Sequence, residues 1–385
     1  MYLSRQEERA LNGEFGSPLS TAYKILLAIG QATEAEKLVP VTWSHISGVN
    51  YNTIGDAGSE FLSDLNESNA KVSVFTTVNP MGYDKSKKSK IPSEFKRRQL
   101  KIVDSYISMG ITPSFSCIPY EIFKLPRRNT SVSFAESNAA IMANSMYGLV
   151  SNKESALSAL ASAITGKAPY SDLRVREFRY PKVLVKVEVP VKTELDFGML
   201  GYYTGKSANA SCVSFGSHAK GIDIMRAKSL SAALGTSGSC GMFSSEELNC
   251  EKITFGKKEA DSIKDELNTT EKGDVIALGS PQLGLNELNF MSQHLEGKKF
   301  SKPCMIFCPR AVYHQASKSE IIPQIKRAGG DIICDACTCL TPLITKDEYD
   351  GVITNSVKAS YYLNKFNNVS VCLKDLKTIM NDYLK

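Results

Sequence analysis

Residues 304–339 read CMIFCPRAVYHQASKSEIIPQIKRAGGDIICDACTC. An apolar run, CMIFC, leads into a helically spaced stretch and then into a second apolar run, DIIC. Short runs that stay apolar throughout fit strands buried on both faces. The pattern extends outward in both directions. VIALG (275–279) and GVITN (351–355) read as further strands, and LNELNFMSQHLEG (285–297) and SEIIPQIKRAG (319–329) as helices. Strand–helix alternation of this kind implies an α/β fold with a parallel sheet. Functional loops in such sheets lie beyond the carboxyl ends of the strands. GSPQ (279–282), PRA (309–311), CDACTC (334–339) and TNSVK (354–358) occupy those positions.

The amino-terminal half mixes the same elements. SRQEERALNG (4–13) predicts a short helix capped by Ser4, with Glu7 three residues on and Gly13 past its end. A longer helix is expected from Pro18 to Lys37. VPVTWSHI (39–46) and KVSVFTTVNP (71–80) read as strands, and NTIGDAGSEFLSDL (52–65) as a turn becoming helical. SEFKRRQLKIVDSYISMG (93–110), FAESNAAIMANSMYG (134–148) and SALSALASAITG (155–166) carry helical spacing. The β run VLVKVEVPV (183–191) marks a boundary, giving an expected division into residues 1–180 and 181–385.

The 385 residues are 42% apolar and 22% charged, the composition of an ordinary globular protein with room for more than one domain. The net charge of +6 is spread along the chain. The dense basic runs, Lys85–Lys90 and Lys96–Arg98, contain no aromatic residue, so no nucleic-acid partner is expected. A small anionic substrate suits the modest positive balance. No stretch approaches the roughly 20 apolar residues that span a bilayer, and the amino terminus lacks the apolar core of a signal peptide. A cytoplasmic protein without a membrane partner is expected. Its ten cysteines then read as free thiols or metal ligands, not disulfides.

Cys117 lies far from the crowded Cys334, Cys337 and Cys339. Thiolates drawn from distant segments onto one site hold iron–sulfur clusters. The Cys334–Cys337 pair also has a spacing that suits zinc, although no second pair or histidine cluster accompanies it. The remaining alternative is that these are small buried hydrophobes, the reading favoured for Cys212, Cys240, Cys250, Cys304, Cys308 and Cys372. The four histidines are isolated and read as packing or surface residues. Asn79, Glu136, Asn138, Asn144, Asn355 and Ser356 stand at strand or loop ends; they either cap turns or face a ligand. Arg310, Lys358 and the Asn355-Ser356 pair could hold a carboxylate or phosphate.

Several segments together resemble the aconitase X family, in particular the large subunit of its two-chain archaeal type. GVNYNTIGDAGSEF (48–61) is similar to the family's G-V-x-Y-x-T-I-G-D-A-G. FTTVNPMGYD (75–84) is similar to T-T-L-N-P-A-G-M-D, and residues 97–120 to the stretch through M-G-x-x-x-T-x-T-C-T-P-Y. Residues 134–170 are the longest match. PRAVY (309–313), IICDAC (332–337) and TNSVK complete it, with Cys337 on the cysteine of the family's D-T-C.

The resemblance implies three-layer α/β/α domains with mostly parallel sheets around a central cleft. It implies a hydro-lyase that dehydrates (R)-5-phosphomevalonate to trans-anhydromevalonate 5-phosphate in the archaeal mevalonate pathway. The alternatives are dehydration of cis-3-hydroxy-L-proline, or a non-catalytic paralogue. It implies an iron–sulfur cluster, 4Fe-4S or smaller, on Cys117, Cys337 and a third ligand. Gly55, Asp56, Asn79, Glu136, Asn138, Ser145, Arg310, Asn355, Ser356 and Lys358 would line the substrate site. The base would be a serine on a separate, swivelling small subunit, leaving this chain inactive alone. One departure stands out: the two-chain type usually has G-C-P-H where this chain has Gly279-Ser280-Pro281-Gln282. If that cysteine is a ligand, Cys334 or Cys339 compensates, the cluster is smaller or more labile, or activity is altered or absent.

Overall fold

The computed structural model describes residues 1–88 and 90–385; Ser89, inside the basic run Lys85–Lys90, lies outside the described residues. The first region contains strands β1 (Leu38–Pro40), β2 (Trp43–Ile46), β3 (Phe75–Val78), β4 (Ser133–Phe134) and β5 (Lys167–Pro169). Its helices are α1 (Arg5–Leu11), α2 (Ser17–Ala32), α3 (Tyr51–Glu67), α4 (Ser93–Ser108), α5 (Ser137–Ser145) and α6 (Ala156–Thr165). Strands β3-β2-β4 form a parallel sheet, and β1 pairs antiparallel with β5. Ser4 caps α1 as expected: its hydroxyl accepts from the Glu7 amide, while Glu7 accepts from the Ser4 amide at 2.7 Å. Helix α2 stops at Ala32, short of the expected Lys37, and Glu34 turns left-handed at φ 54°.

A second region follows: β6 (Val183–Val187), β7 (Cys212–Ser214), β8 (Met242–Ser244) and β9 (Glu251–Phe255), with α7 (Glu194–Ser207), α8 (Ile224–Ser237) and α9 (Lys257–Leu267). Its sheet is parallel in the order β8-β7-β6-β9. Helices α7 and α8 pack closely enough that a Cβ on Gly201 would stand 2.5 Å from the Leu230 carbonyl.

The third region has β10 (Val275–Leu278), β11 (Cys304–Cys308), β12 (Gly330–Cys334), β13 (Gly351–Thr354) and β14 (Ser370–Leu373). Helices α10 (Leu285–His294), α11 (Arg310–Ala316), α12 (Ile321–Arg327), α13 (Val357–Tyr362) and α14 (Leu376–Tyr383) accompany them. All pairings are parallel, in the order β12-β11-β10-β13-β14. Strands β10 and β13 are buried at every position, which is why their sequences are apolar runs without alternation. The fold is thus α/β with mostly parallel sheets. No helix among the described residues is long and apolar enough to cross a membrane.

The first and third sheets are joined at their carboxyl ends. Met81, just past β3, bridges to Ala336, just past β12, and its amide donates to the Asp335 carbonyl at 2.9 Å. Asp84 accepts from the Cys334 amide at 3.0 Å and from Arg310 Nη2 at 2.6 Å, while Arg310 Nε donates to Asp335 at 2.6 Å. A cleft opens between these two sets of strand ends.

Candidate active site

The cleft holds a cavity of about 330 Å³. One wall comes from loops after β2 and β3 and from the start of α5: Ser47–Asn50, Asn79–Met81 and Glu136. The other comes from the loop after β12 and from α13: Cys337, Cys339, Leu340, Lys358 and Tyr362. Cys117 enters from the loop after α4. Carboxyl ends of parallel strands thus supply most of the site, as expected for open α/β sheets.

Three thiols meet here. Cys337 shares hydrogen bonds with both Cys117 and Cys339. Hydrogen bonds from Cys117 and then Cys339 hold the Cys337 thiol well below its ordinary value, against its burial. Burial, together with the negative charge on Cys337, pushes Cys117 and Cys339 up. Ser280 Oγ lies 2.8 Å from Cys339 Sγ.

Left-handed residues shape the thiol loop, Asp335 at φ 65° and Leu340 at φ 61°. Leucine rarely adopts this conformation. Asn50 and Asn52, at the start of α3, donate to the Leu340 carbonyl at 3.1 and 3.0 Å and hold it there.

Beside the thiols is a buried ion pair. Lys358 Nζ donates to Glu136 Oε1 at 2.6 Å, and Asn79 Nδ2 donates to Glu136 Oε2 at 2.8 Å. Burial alone would raise Glu136, but Lys358 and Asn79 hold it below its ordinary value. Burial would likewise lower Lys358, yet Glu136 beside it drives it well above. Both groups are therefore charged at neutral pH.

Behind Asn79 lies His45, fully buried and pushed down to about 4 by that burial. Its tautomer follows from its neighbours. Glu136 only accepts, so Asn79 donates to it and turns its carbonyl to His45 Nε2, 2.9 Å away. Nε2 must then carry the hydrogen. Nδ1 accepts from the Thr77 hydroxyl at 2.8 Å, and Thr77 accepts from Trp43 Nε1 at 2.8 Å. Every donor in this chain points toward Glu136.

Of the expected site residues, the cleft brings together Cys117, Cys337, Cys339, Asn79, Glu136 and Lys358. Others stand elsewhere. Cys334 sits in the core of the third sheet, in register with Cys308 on β11 and hydrogen-bonded to it. Arg310 is tied to Asp84 and Asp335 and is not among the cavity's lining residues. Asp56 pairs with Arg98 on the surface, and Gly55 (φ 59°) kinks α3 beside it.

Asn138 donates to the Cys117 carbonyl and the Tyr120 hydroxyl, supporting the thiol loop from behind. Ser145 accepts from the Phe243 amide, at the second region. Asn355 lines a separate small cavity and donates to Glu194. Ser356 caps α13 and donates to the Ser280 carbonyl.

Sequence reasoning passed over His45, Asn50, Thr53, Tyr362 and Gln282. Gln282 staples the thiol loops: its amide N–H donates to Cys117 Sγ at 3.1 Å, and its side chain donates to the Phe115 and Ala336 carbonyls at 3.2 and 2.8 Å. Its signal was available, since it stands two residues from Ser280 in the same departure from G-C-P-H. Lys228, fully buried, accompanies it with bonds to Glu287 at 2.5 Å, Glu121 at 3.1 Å and the Gln282 carbonyl at 3.2 Å.

The donor set suits a sulfur-ligated iron group. Among the described residues no three His, Cys, Asp or Glu side chains converge on a single metal ion. A cluster instead spreads its thiolates over different irons, so three thiols reaching one cleft from separate segments fit it.

Comparison with known proteins gives concordant matches. Family models described as the aconitase X first, second and third domains match residues 1–177, 181–278 and 273–385. The phosphomevalonate dehydratase large subunit of Thermococcus kodakarensis is 34% identical over 99% of this chain and 100% of its own length. That of Methanocaldococcus jannaschii is 33% identical over 99% of each. The cis-3-hydroxy-L-proline dehydratase of Hypocrea jecorina is 29% identical, and this chain spans 65% of it. The crystal structure of the Thermococcus kodakarensis aconitase X in its holo-form superposes with a TM-score of 0.90 at 33% identity, covering all of both chains.

Proposed function

This chain belongs to the aconitase X family, and from that premise we propose that it is the large subunit of a dehydratase acting on 5-phosphomevalonate. The carrying observation is the convergence of Cys117, Cys337 and Cys339 on a cleft that they share with the Lys358–Glu136 ion pair. The full-length similarity to phosphomevalonate dehydratase large subunits supports the substrate assignment. The hydroxyproline enzymes are less similar and longer.

Cys117 and Cys337 would hold an iron–sulfur cluster, which supplies a Lewis acid to the departing hydroxyl. The chain's own residues do the rest of the binding. Lys358 contributes a fixed positive charge toward an anionic substrate. Glu136, locked as a carboxylate by Lys358 and Asn79, orients that lysine instead of exchanging protons. Asn50 and Thr53 line the same cavity, with Asn50 holding the thiol turn through the Leu340 carbonyl. Glu136 is committed to Lys358 and His45 is buried and neutral, so neither is placed to take the α-proton. A separate small subunit in the cytoplasm would bring that base.

The test is anaerobic reconstitution with ferrous iron and sulfide, then assay with 5-phosphomevalonate with and without the small subunit. Loss of one water only in the two-chain mixture is expected. Turnover by the single chain would refute the division of labour, and preferential turnover of cis-3-hydroxy-L-proline would refute the substrate. A colourless, iron-free protein after reconstitution would mark a non-catalytic paralogue.

A further inference from the structure

We infer that Cys339 is the third cluster thiolate, having taken over the place that Ser280 vacates. The inference rests on the cluster reading above and concerns which residue completes it. Ser280 Oγ and Cys339 Sγ are 2.8 Å apart. Serine and cysteine differ by one atom, so a cysteine at 280 in the same rotamer would place its sulfur still nearer Cys339. Non-bonded heavy atoms of ordinary size keep roughly 3.5–4 Å apart. Sulfurs at both positions would collide, and one sulfur therefore serves where the other is absent. Ser280 is fixed in this position, since its carbonyl accepts from the Ser356 hydroxyl.

The rest of the geometry favours the same residue. Cys339 lines the cavity beside Cys117 and Cys337 and is hydrogen-bonded to Cys337. The turn that presents it is held by Asn50 and Asn52 through the Leu340 carbonyl. Cys334, the other extra thiol, is 3% exposed. Its sulfur pairs with Cys308, and its amide is committed to Asp84. Reaching the cavity would require breaking the end of β12.

The experiment uses the full chain, reconstituted anaerobically with ferrous iron and sulfide. The readouts are iron and sulfide per chain and the visible and EPR spectra, with circular dichroism as a check on folding. Wild type, Cys339→Ala, Cys334→Ala and the pair Ser280→Cys with Cys339→Ala are compared. Wild type and Cys334→Ala should bind equal iron and sulfide. Cys339→Ala should lose at least half, and the paired variant should recover it. Full iron in Cys339→Ala, or loss in folded Cys334→Ala, overturns the assignment while leaving the cluster reading intact. No recovery in the paired variant overturns the exchange of positions. A wild-type chain that binds no iron or sulfide overturns the cluster reading together with this inference.

Discussion

Replacing Lys358 with methionine keeps most of the side chain's volume and removes its charge. Glu136 would then face burial with Asn79 as its remaining donor. Removing one member of a buried ion pair costs about 3–5 kcal/mol. Unfolding entropy near 2.1 cal/mol/K per residue gives roughly 0.8 kcal/mol/K for 385 residues, so the midpoint should fall by about 4–6 °C.

The loss should depend on pH, and the sign is fixed by Glu136. In the wild type its folded pKa lies below the ordinary value of 4.5, so its stabilisation is present above that pH and is lost only in stronger acid. In Lys358→Met, burial without the cation raises the folded pKa above 4.5. The penalty then grows as pH rises, by at most about 1.4 kcal/mol per pH unit. The gap between wild type and variant should therefore widen from pH 5 to pH 8. Adding Glu136→Gln should recover about half of it at pH 8. Thermal unfolding of the three proteins at both pH values measures this. Equal losses at pH 5 and pH 8, with no recovery in the double variant, would refute the charged-pair reading.

Three further outcomes are expected. His45, held at about 4 by burial, should make the wild type lose up to about 3 kcal/mol as pH falls from 6.5 to 4, because the unfolded chain takes the proton first; His45→Gln should flatten that slope in unfolding midpoints. Gly279→Ala places a Cβ 2.4 Å from the Phe307 carbonyl at φ 122° and should abolish soluble folded protein, whereas Gly221→Ala, with open space around it at φ 68°, should cost about 1–2 kcal/mol by denaturant titration. Arg310→Met leaves Asp84 and Asp335 without their shared cation and should cost about 2 kcal/mol, with faster proteolytic cleavage within 335–340.

The third sheet was legible because strands buried on both faces are spelled as apolar runs, and its loops were legible because they end those runs. Asn79, Glu136 and Lys358 could be singled out by position, but Lys358 was read as a ligand holder. Its partner Glu136 is 222 residues away, and no local pattern joins them. Cys334 and Cys339 could not be separated by spacing. The last residue of β12 faces the core and the turn after it faces the cleft, a distinction set by the left-handed Asp335. The strands and helices of residues 194–267 went unread. Strands β7 and β8 are three residues long, and α7 meets α8 through glycines, which carry no apolar stripe. The end of α2 was misplaced because Glu34, not glycine, takes the left-handed turn.

The Met81–Ala336 bridge and the Asp84 contacts have a consequence for how the protein is made. The thiol loop after β12 is moulded against residues that leave the ribosome some 250 positions earlier. Domains fold as they emerge, amino-terminal first. When residues 335–340 appear, the surface that shapes them already exists. A fragment beginning after residue 180 could assemble its sheet, but it would have no template on which to set Cys337 and Cys339.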